Sequence, residues 1–347
     1  MSTVTVRDVA REAGVSSGTV SRVMNGREDV SPDLRDRVRK AASHLGYAGS
    51  TRKTRDRTDT DVRDVAFLLA LPHVEAAADA PAPFWAHILS GCEAEARRHG
   101  RVRVSYRAVR QDESAGEIAK ALLESGIGGA LLVGVATAPV AEAVSLLGIP
   151  AIAIEDRPST GTYEAVVSDY VTAGELSTNA LLERGHRTIG FIGGRYAATT
   201  RRNMVWAIEA RAVGYRNALS YAGIDFDEDL TEGCDLTPSG GRAAALSLLR
   251  RRPDITAIFC SNDPTAAGVL QAAVDLRLQV PSSLAVVGCD DEYAGHTFPP
   301  LATVQVARAG LGEFGLRRLL HRMAGEDDTG AVTHMLPVQF IERDSLG

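Results

Sequence analysis

The chain has 347 residues, 45% hydrophobic and 24% charged, with a net charge of −6. That is the composition of a globular protein with room for two or three domains. No apolar run approaches the roughly 18 residues of a membrane span. The polar start MSTVTVRDVAREAG has no apolar stretch of a secretory signal, so the cytoplasm is the expected compartment. Cys92, Cys234, Cys260 and Cys289 show no C-x-x-C spacing and the histidines do not cluster with them, so neither a metal nor a cofactor is expected.

The charge is unevenly placed. Residues 1–57 hold twelve Lys/Arg against seven Asp/Glu, a net of +5, which leaves −11 for the rest. A small basic head on an acidic body suggests that the head meets a polyanion.

In chain order, Val6, Val9, Ala10 and Ala13 recur at helical spacing, with Thr5 as a cap and Gly14 as a stop. Ser16 is the expected N-cap of a second helix running to about Asn25, with Val20, Val23 and Met24 inward and Ser17, Ser21 and Arg22 outward. A third helix starts at Ser31-Pro32 and buries Leu34, Val38, Ala41 and Leu45. Gly14-Val15-Ser16-Ser17-Gly18 also fits the G-x-S-x-G pattern of a hydrolase nucleophile elbow. That elbow needs a strand before its serine, and here an amphipathic helix precedes it. Three short helices with a tight first turn make a helix-turn-helix instead.

From Thr5 to Tyr47 the chain resembles the headpiece of the lac repressor/galactose repressor family of bacterial transcription regulators, almost without gaps. The resemblance implies that the second helix enters the major groove of double-stranded DNA. Ser17, Gly18 and Arg22 match base-reading positions, and Thr19, Ser21 and Asn25 match positions that hold phosphates and the helix end. Thr5 and Ser16 are counted with them as DNA-contacting. Arg22 can donate two parallel bonds to guanine, worth about 1–3 kcal/mol of discrimination; a phosphate contact is its alternative role. Gly18 has no side chain to read with, which departs from relatives carrying a large polar residue there.

The next stretch, AGSTRKTRDRTDTDVRD, departs further. Gly49 stands where the family has proline, and Asp56 stands near the leucine that wedges into the minor groove. With no apolar face it reads as a flexible basic linker, in which Arg52, Lys53, Arg55 and Arg57 contact DNA electrostatically.

From Asp64, apolar runs such as VAFLLAL, ALLVGV, PAIAI, TIGFIGG, AIFC and LAVVG alternate with helical stretches, which predicts parallel sheets covered by helices. GFIGGR lacks the G-x-G-x-x-G spacing and reads as a strand end. The family resemblance extends through GIPAIAIED, ERGHRTIGFIGG, FCSNDPTAAG, VPSSLAVVGCDD and FPPLATV, with VEAAADAPA as an insertion before the Pro83–Trp85 landmark. It implies an effector domain like the type I periplasmic sugar-binding proteins, two lobes crossed three times by the chain.

The expected fold is therefore an all-α helix-turn-helix headpiece plus an α/β two-lobed type I periplasmic-binding-protein-like effector domain. The expected bounds are 1–48 for the headpiece, 49–63 for the linker and 64–347 for the effector and dimerisation domain. Lobe one would take 64–161 and 296–325, and lobe two 162–295 and 326–347. Ligands of open α/β sheets bind beyond the carboxyl ends of strands, where Phe84, Trp85, Asn262, Asp263 and Asp290 stand. The resemblance places Arg211, Asn262 and Asp290 in the cleft, with Asp263 adjacent. Asp235 replaces a common aromatic, favouring a hydroxyl-rich or cationic ligand over a flat purine. Asp263 could instead cap a helix, and Asp291 a turn.

These features imply a non-enzymatic, effector-responsive repressor, a homodimer on a pseudo-palindromic operator, with a small carbohydrate as effector and no membrane partner. The rivals are a solute-binding protein and an α/β metabolic enzyme acting on a small sugar. The first lacks its signal peptide, and the second lacks a visible catalytic constellation.

Overall fold

The computed structural model describes residues 6–24, 31–44, 62–70, 83–110, 112–134, 138–157, 163–194, 206–326 and 330–347. The chain forms two compact units, Met1–Asp61 and Val62–Gly347.

The amino-terminal unit holds helices α1 (Val6–Ala13), α2 (Ser17–Met24) and α3 (Pro32–His44). Their shared core is Val9, Ala10, Ala13, Val20, Val23, Val38, Ala41 and Ala42, all buried. The period-3.6 stripes meet at these positions, with Leu34 partly buried against them, while the side chains of Val6, Met24 and Leu45 fall outside the described residues. Ser16 caps α2 by accepting from the Thr19 amide at 3.0 Å. Gly14 takes φ +62°, a left-handed turn that suits glycine. Arg37 of α3 donates to the Ala13 carbonyl at 2.8 Å and closes the open end of α1. A helix precedes Ser16, so the nucleophile-elbow geometry is absent there.

The second unit begins with β1 (Arg63–Ala70), α4 (Pro83–His99), β2 (Val102–Ala108), α5 (Ala115–Glu124), β3 (Gly129–Gly134), α6 (Ala138–Leu147), β4 (Ala151–Ile154) and β5 (Glu164–Ser168). It continues with α7 (Tyr170–Glu183), β6 (Ile189–Gly194), α8 (Trp206–Tyr221), β7 (Thr231–Cys234), α9 (Pro238–Arg251), β8 (Ala257–Cys260), α10 (Asp263–Asp275) and β9 (Ala285–Val287). It ends with β10 (Thr303–Val306), α11 (Arg308–Ala324), β11 (Thr333–Leu336) and β12 (Val338–Ile341).

Two parallel sheets result, ordered β11-β5-β4-β3-β1-β2 and β7-β6-β8-β9. In the first, α4 and α11 cover one face and α5 and α6 the other. In the second, α7 and α8 cover one face and α9 and α10 the other. Strands buried on both faces explain the continuous apolar runs.

Two features depart from expectation. First, β5 and β11 belong to the first sheet and β10 lies with the second, whereas the expected bounds put 162–295 and 326–347 in lobe two and 296–325 in lobe one. Register decides this: β5 pairs with β4 through Ile154↔Val166, and β11 pairs with β5 through Met335↔Val167. Second, the parallel pattern breaks at β10 and β12, an antiparallel ribbon tied to the second sheet by the bridges Val287↔Ala302 and Asp290↔Gln305. The chain passes between the sheets three times, at Asp169 after β5, at Ala307 before α11 and at Pro337 between β11 and β12.

Helices cross at paired glycines. A Cβ at Gly312 of α11 would lie 2.0 Å from the Ile88 carbonyl of α4, and one at Gly91 would lie 2.0 Å from the Ala309 carbonyl. The same holds for Gly174 and Gly214 between α7 and α8, and for Gly241 and Gly268 between α9 and α10. In each pair the backbones touch directly.

Candidate functional site

The carboxyl ends of the two sheets meet in a run of buried polar groups. Glu155, directly after β4, takes φ +62° and is 4% exposed. Its Oε1 accepts from the Ser168 amide at 3.0 Å and the Ser168 hydroxyl at 2.8 Å. The neighbouring Tyr170 phenol also favours the ionised form of this carboxylate. Burial pushes the Glu155 carboxyl upward despite these donors.

Tyr170 opens α7, and its ring carries the Arg211 guanidinium of α8 at 3.8 Å from the centroid. Arg211 donates from Nε to the Cys289 sulfur at 3.3 Å and from Nη2 to Asp290 Oδ1 at 2.7 Å. Asp290 stands just past β9 at φ +104°, its amide donating to the Val304 carbonyl at 2.8 Å. Burial raises its carboxyl, with Arg211 and Arg308 opposing. The chain Glu155–Tyr170–Arg211–Asp290 thus runs from the first sheet to the second.

Asp263, fully buried at the start of α10, accepts from the Thr303 hydroxyl at 2.6 Å and the Glu292 amide at 2.8 Å. Burial, then the neighbouring Asp290, push its carboxyl up to about 7. Asn262, not Asp263, caps α10: its Oδ1 accepts from the Thr265 amide at 3.0 Å, and its amide donates to the Leu236 carbonyl at 3.2 Å. Asp291 is held by Arg343 at 2.7 Å and by Gln305 at 3.0 Å. Asp235 is exposed and turned onto the α9 entry, accepting from the Thr237 amide and hydroxyl at 3.1 and 2.6 Å.

Phe84 and Trp85 lie in the first turn of α4, edge to face at 4.8 Å. Phe84 packs against the cores of both sheets. Arg211, Asp263 and Asp290 are therefore gathered at the second sheet's strand ends, with Asn262 beside them. Asp235 bonds locally through Oδ1, and Asn262 through both its oxygen and its amide. Glu155, Ser168, Tyr170 and Cys289 were not anticipated. The acid closing the apolar run PAIAI was the available signal for Glu155. Two open hollows of about 620 and 410 Å³ lie elsewhere, along Leu246 and Arg250 of α9 and along Arg97 and Val104 beside β2. Neither contains these groups.

In the amino-terminal unit, Ser16 spends its hydroxyl on the α2 cap and lies 2.9 Å from the Thr19 hydroxyl. Ser17, Ser21 and Arg22 lie within α2, but their side chains fall outside the described residues. Thr5, Asn25, Arg52, Lys53 and Arg55 lie outside them altogether, as do Gly49, Asp56 and the insertion before Pro83. Among the described residues no helix is long and apolar enough to cross a membrane.

Residues 5–50 match the lacI family of bacterial regulatory proteins, and residues 178–346 match a periplasmic binding protein-like domain. The HTH-type transcriptional regulator CelR of Thermobifida fusca is 34% identical over 353 residues, covering 98% of each chain. The ribose operon repressor of Escherichia coli (strain K12) is 29% identical over 322 residues, covering 92% of this chain and 93% of its own. Among solved structures, a transcriptional regulator CelR–cellobiose complex superposes with a TM-score of 0.73 at 30% identity, covering 99% of this chain and all of that one. The chain belongs to the lacI family of bacterial regulatory proteins. It is a DNA-binding transcription regulator, and the relatives it matches are regulators rather than enzymes.

Proposed function

We propose that this chain represses transcription as a homodimer on a pseudo-palindromic operator. A small sugar, bound between the carboxyl ends of the two sheets, sets its affinity for that operator. The observation that carries the reading is the buried Arg211–Asp290 pair, joined through Tyr170 to Glu155 of the first sheet. A ligand there engages both sheets at once, and the half-buried Phe84 and Trp85 offer aromatic faces to a sugar's C–H side. Arg211, Asp263 and Asp290 bond its hydroxyls. Asn262 and Asp235 contribute through the oxygen lone pairs their local bonds leave free.

The relatives support the sugar class: one solved neighbour is a complex with cellobiose, and another relative is a ribose operon repressor. A coupling of about 1–3 kcal/mol between the two sites suffices for 5–150-fold regulation. The protein holds its effector without turning it over. The cytoplasm is its place of work, in keeping with four free, buried cysteines.

The test is a DNA-selection experiment on the full chain, followed by fluorescence anisotropy on the selected site with cellobiose and ribose added in turn. The expected result is a palindromic consensus whose binding shifts with one sugar. A selected site indifferent to a wide panel of sugars would overturn the effector assignment, and the absence of any selected site would overturn the repressor.

A further inference from the structure

Arg308 is the first residue of α11, where the chain passes from the β10 ribbon back to the first sheet. Its Nη2 donates to the Asp291 carbonyl at 2.8 Å. Its Nη1 is shut off from solvent and has no hydrogen-bond partner. An ionised donor so placed forfeits its hydration, a cost of about 1–3 kcal/mol or more. Few such groups persist in folded proteins, and each calls for a reason.

The surroundings narrow that reason. The charge of Arg308 acts on Asp290 and Glu292 at the end of the second sheet and on His87 in the first turns of α4. The Phe84 amide at the start of α4 favours the ionised form of Glu292, against its burial. His87 lies against the Pro83 carbonyl at 3.2 Å and is pushed down by burial and then by Arg308, which favours its neutral form. Arg211 already binds Asp290 and Cys289. Arg308 is thus a cation with an unused N–H, its charge felt by Asp290, Glu292 and His87, beside the proposed effector site.

We propose that Arg308 reads the effector, donating from Nη1 to a hydroxyl oxygen, and that the effector is an uncharged sugar rather than a sugar phosphate, uronate or amino sugar. This rests on the effector assignment above and narrows it. A hydroxyl is the group that can accept from a guanidinium and pass its own proton to a carboxylate. A phosphate or uronate would set further negative charge beside Asp290 and Glu292. An ammonium has no lone pair for Nη1 and would face a guanidinium.

The test is calorimetric titration of the full chain with cellobiose, ribose and glucose, against glucose 6-phosphate, glucuronate and glucosamine. Arg308→Met and Arg308→Lys are run beside the wild type, and the unfolding midpoint of each variant is recorded. The expected result is that wild type binds a neutral sugar at least about tenfold tighter than any charged one. Arg308→Met should lose about 10–100-fold, the worth of one bond to a charged donor, and Arg308→Lys should recover part of it. Methionine should also keep the unfolding midpoint, because it removes an unsatisfied donor along with one bond. A charged sugar preferred by wild type would overturn the ligand class. Unchanged neutral-sugar affinity in Arg308→Met would overturn the role of Arg308 alone. Failure of wild type to bind any of the six would overturn the sugar assignment on which both stand.

Discussion

The Arg211 guanidinium lies over the Tyr170 ring, 3.8 Å from its centroid, while its Nη2 reaches Asp290 at 2.7 Å. One arginine thus stacks on the start of α7 and neutralises a carboxylate past β9. Removing it leaves Asp290 buried without its cation. Arg211→Met is expected to cost about 3–5 kcal/mol of unfolding free energy. Adding Asp290→Asn should return part of that loss. Urea denaturation of the single and double variants checks this, and strictly additive losses would mean that the pair is not coupled.

Asp263 carries a pH signature. An unperturbed aspartate titrates near 3.9, whereas here burial and Asp290 push it up to about 7. The folded chain therefore holds this proton across a range where the unfolded chain releases it. By linkage its contribution to stability falls as pH rises from about 4 to about 7, and is level above that. Asp263→Asn should remove this downward component. The variant's stability relative to wild type is expected to rise over that window, read from urea unfolding at stepped pH. A difference independent of pH would show that Asp263 is ionised throughout.

Gly214→Ala places a methyl 2.1 Å from the Val171 carbonyl and 2.8 Å from the Glu175 amide nitrogen. Both obstacles are backbone, so no rotamer change relieves them. The expected cost is about 3 kcal/mol or more, the upper end for overpacking. Gly116→Ala in α5, where nothing lies within 4 Å, is the control and should be neutral or slightly stabilising. Thermal unfolding of the two variants side by side gives the comparison.

The helical spacing of the sequence puts Arg22 on the outward side of the second helix. Arg22→Ala should cost about 1–3 kcal/mol at the cognate site and relax preference at one base pair. Effector affinity should be unchanged. Competition binding with single-base operator variants reads the outcome. A uniform loss across all sequences would identify a phosphate contact instead.

Much of this architecture was legible from patterning alone. Gly14, Ser16 and the Val20/Val23 spacing define the headpiece turn, because caps and helical stripes are local signals. The doubly buried runs mark β1, β3, β4, β6, β8 and β9 for the same reason. The short, half-exposed β11 and β12 carry no such signature: their membership depends on which distant strand offers a free edge, as Met335↔Val167 illustrates. The site divides likewise. Asp290 stands out as an acid past an apolar strand, whereas Arg211 is found only through the family resemblance. Asn262 and Asp235 have suitable chemistry, but each is turned onto a bond within three residues or to an adjacent loop, a choice that spacing cannot reveal. Tyr170 and Glu155 belong to different turns and become partners only through the crossing at Asp169.

The three glycine pairs have a mechanical consequence. Where backbones touch, a helix can neither slide nor roll against its mate without losing close packing. Each layered half is in effect a stiff plate. Any rearrangement between the plates must then be absorbed by the strands near Asp169, Ala307 and Pro337. Because Arg308 adjoins the second of these and Tyr170 the first, a molecule gripping both residues would push on two of the three joints directly.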